Sequence, residues 1–138
     1  GELTPLIKEA SSNNINIHFC PAVSLENIIT YSSSAHYGIS GMVFEDSCLS
    51  YYLSLPNKMF EYLMAGLPIL VPNAVEMKAF VLAHEVGVVV KDKSPQALIA
   101  AVKEIITSKP FDSAIQNVKE KFCWESQEKI LLSLYAEL

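Results

Sequence analysis

The chain has 138 residues, enough for one domain with a real core, and 51% of them are hydrophobic, spread over short blocks. No block approaches the roughly 18–20 consecutive apolar residues of a membrane span, and no basic start, apolar stretch and small-residue cleavage site mark a signal peptide. A net charge of -5 argues against nucleic acid, whose phosphates need clustered Lys and Arg, and against tight adhesion to an anionic membrane.

Leu3 to Ala10 suits a helix with Pro5 in its first turn, closed by Ser11-Ser12-Asn13-Asn14. Ile15 to Phe19 alternates apolar and polar residues, the period of a strand, and Pro21 ends it. Ser24 is placed to cap a short helix, with Asn27 in its third position and Leu25, Ile28 and Ile29 inward. Tyr37 to Val43 predicts a second strand, loosened by its glycines, and Phe44 to Ser54 has no clean period and predicts a loop. Pro56 to Ala65 predicts the best-defined helix. Pro56 stands at its first position, Phe60, Leu63 and Met64 form the apolar face, and Gly66 caps the end.

Pro68 blocks continuation, and Ile69-Leu70-Val71 predicts a short buried strand stopped by Pro72. Ala74 to His84 predicts a helix and Gly87 to Val90 an all-apolar strand. Ser94-Pro95 opens a helix to about Thr107, with Leu98, Ile99, Val102 and Ile105 or Ile106 inward. Ser113 to Lys121 and Glu125 to Leu138 predict two more helices. The last carries Ile130, Leu131, Leu134, Tyr135 and Leu138 at helical spacing. Strands and helices thus alternate four times, and the later strands are apolar throughout. That pattern predicts an α/β fold, a parallel Rossmann-like sheet of about four strands with helices on both faces. No repeat, low-complexity tract or linker interrupts it.

Cys20, Cys48 and Cys123 are odd in number and far apart, which suits reduced thiols in a cytosolic protein better than disulfides or a zinc site. The lack of an Asn-x-Ser/Thr sequon agrees with a cytosolic location, and no metal is expected. His84-Glu85 lacks the second His of a metalloprotease motif and reads as a helix end. His18 and His36 read as packed or edge residues, and Glu45-Asp46 as solvated acids. Cys20 has no neighbouring base to activate it. Tyr51-Tyr52 reads as a loop anchor, and Phe122 and Trp124 as packing residues.

The segment Ser54 to Pro68 carries the chemistry. A helix beginning at Pro56 turns its free N–H groups toward the end of the sheet where ligands bind in open α/β folds. Such a start favours an anion by about 0.3–1 kcal/mol for one charge near the surface. Lys58 in the first turn opposes the helix dipole, which is poor for the helix and good for a phosphate. Asn57, Lys58 and Glu61 can share one face at these spacings. A nucleotide diphosphate fits that face, with Glu61 accepting hydrogen bonds from ribose hydroxyls. Spacing alone favours a surface Lys58–Glu61 ion pair on an amphipathic helix, and composition does not settle the choice.

The string Leu55-Pro56-Asn57-Lys58-Met59-Phe60-Glu61-Tyr62-Leu63-Met64-Ala65-Gly66-Leu67-Pro68-Ile69-Leu70 resembles the donor-site signature of GT-B-fold glycosyltransferases of the large group 1 class, close to family four. There a Pro-x-Lys-x-x-Glu-Tyr helix ends in Ala-Gly-x-Pro-Val before a strand. Asn16 to Pro21 resembles the strand and turn beside the nucleotide base, and Ala35 to Ile39 the next strand. Gly87 to Val90, followed by Ser94 to Leu98, resembles the glycine, apolar strand and small-residue helix that close the domain.

The resemblance covers nearly the whole chain. It implies that residues 1–138 are the carboxyl-terminal, nucleotide-sugar-binding part of a GT-B enzyme, with its first strands and its amino-terminal acceptor domain outside this chain. Gly1 in place of Met fits a cloning residue or a piece of something longer. The resemblance places Glu61 on the ribose, and Ser54, Asn57 and Lys58, with the backbone around Pro56, along the diphosphate. The backbone at Cys20, Pro21 and Ala22 would border the base. It names no catalytic residue here, because Leu53 stands where many retaining members carry a second Glu.

The function implied is sugar transfer from a UDP- or GDP-sugar to a glycan or lipid-linked acceptor, as in polysaccharide biosynthesis. No cofactor besides the donor is needed, and the setting is the cytoplasm or the inner face of the membrane. The isolated fragment is expected to be inactive. A nucleotide-sugar epimerase of the same architecture is the alternative within the fold. A noncatalytic flavodoxin-like module is the alternative outside it, although its acidic cluster is not found in the sequence. The parent sheet has strand order 3-2-1-4-5-6. The first two predicted strands then correspond to 3 and 4, and must either pair directly or leave a gap that invites another chain.

Overall fold

A computed structural model describes residues 4–42, 49–108 and 110–137. Helix α1 (Thr4–Asn13) comes first, then a 3-10 turn (Leu25–Asn27) running into α2 (Ile28–Ser32). Strand β1 (Gly38–Ile39), α3 (Leu49–Tyr52), α4 (Asn57–Met64) and β2 (Ile69–Pro72) follow. Then come α5 (Val75–His84), β3 (Gly87–Val90), α6 (Pro95–Thr107), α7 (Asp112–Phe122) and α8 (Trp124–Ala136).

The strands lie in the order β1-β2-β3, all parallel, with Gly38 opposite Ile69 and Ile69 opposite Gly87. Among the described residues the sheet has three strands rather than the four expected. Ile15 to Phe19 forms no strand, and Ile15 is 88% exposed. A period-two pattern satisfies no backbone group by itself; a strand needs a paired neighbour. Here Asn14 captures the backbone instead, its carbonyl accepting from Ile17 N–H and its side chain from Asn16 N–H, both at 3.0 Å. The segments expected as strands 3 and 4 therefore do not pair. The strands present match the consecutive run 4-5-6 of the expected order.

The second predicted strand shrinks to two residues, extended by one bond from Ser40 N–H to the Leu70 carbonyl. Its end at Val43, and residues 44–48 of the predicted loop, lie outside the described residues. Leu49 to Tyr52 of that loop is helical.

The apolar strands are explained by cover on both faces. Ile69, Val71 and Val89 face α4, α5 and α7, packing with Met59, Leu63, Met77, Val81, Ile115 and Val118. Leu70, Val88 and Val90 face α6 through Ala101 and Ile105. A Cβ at Gly87 would collide with the Ile69 carbonyl, so only glycine lets β3 approach β2 there. Gly66 ends α4 in the left-handed region at φ 85°, with its N–H bonded to Leu63 O and that of Leu67 to Tyr62 O. That is the Schellman pairing its position predicts. Ser94 caps α6 by accepting from Ala97 N–H at 3.2 Å, also as expected.

Four inward faces differ from expectation. In the 3-10 turn, Leu25, expected inward, is 84% exposed, while Ile28 and Ile29 of α2 are half-buried. In α4, Met59 and Leu63 are buried while Phe60 and Met64 are half-buried; Phe60 meets Phe80 edge-on at 5.5 Å. In α6, Ala101 and Ile105 are buried, whereas Leu98, Ile99 and Ile106 are exposed. That helix is apolar nearly all round, so spacing could not select its stripe, and the close sheet selects the small residue. In α8, no residue is buried, because the helix packs on α7 rather than on the sheet.

Candidate functional site

The start of α4 is placed by β1. A Cβ built on Gly41 would lie 3.9 Å from Pro56 Cγ, so the carboxyl end of β1 adjoins the first residue before the helix. This is the ligand-binding end of an open parallel sheet. Pro56 is the residue preceding α4, extended at φ -72° and ψ 144°, one position earlier than expected. It offers no side-chain cap, and Met59 N–H already bonds to Pro56 O at 3.0 Å. The N–H groups of Asn57 and Lys58, ahead of that first bond, have no intrahelical acceptor.

Asn57 and Lys58 are exposed, and Ser54, Pro56 and Glu61 half-buried. No Lys58–Glu61 ion pair forms among the described residues, so the surface-pair alternative is not realised in this structure. Burial, and then the Glu61 carboxylate, raise the Tyr62 phenol above its ordinary value of 10.0. The Ser54 hydroxyl donates to the Tyr51 carbonyl at 3.0 Å, closing α3 just before α4 begins.

The structure thus gathers Ser54, Pro56, Asn57, Lys58 and Glu61 along one turn and helix. Pro21 and Ala22 stand on a separate exposed segment leading into the 3-10 turn, and α2 beyond it packs against α4. Beside that segment lies an open cavity of ≈ 610 Å³ lined by Val23, Ser24, Asn27, Thr30, Tyr31 and Ser34, which contains no α4 residue. A hydrogen bond with Cys20 raises the Tyr31 phenol above its ordinary value of 10.0.

Two features escaped the sequence. A concavity of ≈ 340 Å³ at the carboxyl end of β3 runs from Met42 and Val90 to Asp92, Lys93, Ser94, Pro95 and Leu98. There the Ser94 hydroxyl and N–H hold the Asp92 carboxyl below its ordinary value. The second is Ser40, fully buried at the end of β1. A polar residue at an inward strand position, just before a glycine, was the signal that could have found it.

No group of three or more His, Cys, Asp and Glu able to hold a metal occurs among the described residues. Nor is any described helix long and apolar enough to cross a membrane.

A small parallel sheet flanked by helices defines a Rossmann-like α/β domain at the coarse level. The family model "Glucosyltransferase 3-like, C-terminal domain" matches residues 5–135, and the chain belongs to that family. It is a glucosyltransferase-related domain. No curated protein and no solved structure matches it.

Proposed function

We propose that this chain is the donor-binding part of a GT-B glucosyltransferase, holding a UDP- or GDP-sugar at the start of α4. One observation carries the reading: Lys58 and Glu61 share the uncapped start of a helix that adjoins the carboxyl end of a parallel strand. Free N–H groups and Lys58 offer positive potential to a diphosphate. Glu61, one turn on, accepts from ribose hydroxyls. Pro21 and Ala22 border the base. The family supports glucose as the sugar carried.

In this reading an acceptor-binding domain completes the enzyme and supplies the rest of the chemistry, so the chain alone binds donor without transferring it. With Leu53 in place of a second carboxylate, the residues named here contribute binding and orientation of the donor.

The test is ligand-observed NMR with UDP, GDP and ADP against the chain and Glu61→Ala, with circular dichroism to confirm that both are folded. One diphosphate is expected to bind selectively. A hydrogen bond to a charged group is worth about 1.5–3 kcal/mol, so Glu61→Ala should weaken it by roughly tenfold or more. A folded parent chain that binds none of the three overturns the proposal.

A further inference from the structure

Ser40 is 0% exposed, and its hydroxyl has no hydrogen-bond partner among the described residues. A buried hydroxyl left unpaired destabilises the free chain and calls for a reason. Its place in the fold supplies one. A Cβ on Gly38 would run into the Tyr62 ring, whereas one on Gly41 would approach Pro56, so α4 runs opposite in direction to β1. Side chains alternate along a strand, which puts Ser40 on the same face as Gly38, toward α4, and Ile39 on the other. Two strand residues advance about 6.6 Å. At about 1.5 Å per helical residue, that is roughly four residues back from Tyr62, in the first turn of α4 beside Lys58.

The alternation thus puts the unpaired hydroxyl on the α4 side of β1, one residue before Gly41, where a Cβ would approach Pro56 at the helix start. We propose that Ser40 is a further binding residue of this site, donating a hydrogen bond to a phosphate oxygen of the nucleoside diphosphate seated on α4. This rests on the donor-site reading above. The thioether of Met77 lies against Gly41, with Sδ 3.2 Å from where a Cβ would stand. It is the flexible group able to give way as the hydroxyl turns to the ligand.

The experiment compares the parent chain with Ser40→Ala, Ser40→Cys and Glu61→Ala, by thermal melting and by titration with the diphosphate the parent selects and with its unphosphorylated nucleoside. Ser40→Ala should melt at or above the parent temperature. It should bind the diphosphate more weakly by roughly tenfold or more, the value of one hydrogen bond to a charged group, and the nucleoside unchanged. Glu61→Ala should weaken both ligands. Unchanged diphosphate affinity in folded Ser40→Ala overturns the inference and leaves the donor-site reading standing. Loss of folding in both Ser40 variants assigns the residue to packing and overturns it too. A parent chain that binds no nucleoside diphosphate overturns both readings together.

Discussion

His84 closes α5 inside a ring of aromatics, its imidazole centroid 4.5 Å from that of Phe80 and 5.2 Å from that of Phe122. Burial, and then Lys121, push its pKa below the ordinary 6.5. The unfolded chain therefore binds a proton at His84 more readily than the folded one. Stability from this residue is complete above 6.5 and is lost as pH falls from there toward the depressed folded value. Melting temperature should accordingly drop between about pH 7.5 and pH 5.5, and His84→Phe should flatten that part of the profile. An equal drop in the variant would show that other groups cause it. The helix-end role of His84 was legible from the missing second histidine. Its contact with Phe122 was not, since that ring comes from a different helix, α7.

Helices α4 and α8 show how an apolar stripe earns its stability only when something covers it. Leu63 is 0% exposed, between β2 and α7, whereas Leu132 in α8 is 61% exposed. Leu63→Ala should cost about 2–5 kcal/mol in denaturant unfolding, and Leu132→Ala should stay within about 0.5 kcal/mol. A large cost at Leu132 would mean that α8 is packed in solution on a surface the structure leaves open. Caps and stops were readable at this scale because they depend on neighbours in sequence: Ser94 before Pro95, and Gly66 after α4. Inward faces were less so. Both α6 and α8 offer apolar residues on several sides, and only the position of the sheet selects Ala101 and Ile105 in one and none in the other.

Across the molecule, burial is concentrated in β2, β3 and the helices against them, while α1 and the segment to Ala22 contain no buried residue. Amide exchange should follow the same division. The amides of Leu70, Val71, Val88 and Val90 should exchange slowest, near the global unfolding limit, and those of residues 5–22 fastest. Slow exchange at Ile15 to Phe19 would show that the alternating segment does find a strand partner in solution. The candidate site lies on the border of these two regions. Its helix is anchored in the core by Met59 and Leu63, while Pro21 and Ala22 sit on the exposed side.

Local chemistry was sufficient to determine the α/β alternation, the strands at Ile69–Val71 and Gly87–Val90, and the helices that follow them, although Pro72, expected to stop the first of these strands, belongs to it and pairs with Val90. It also singled out the α4 segment, because a proline start, a lysine, a glutamate and a glycine stop act through residues no more than a few positions apart. Tertiary structure alone decided that Ile15 to Phe19 forms no strand, since a ladder needs an opposing edge that no sequence period supplies. It decided equally that Ser40 is fully buried at the end of β1, because burial there depends on how helices distant in sequence dock against the strand.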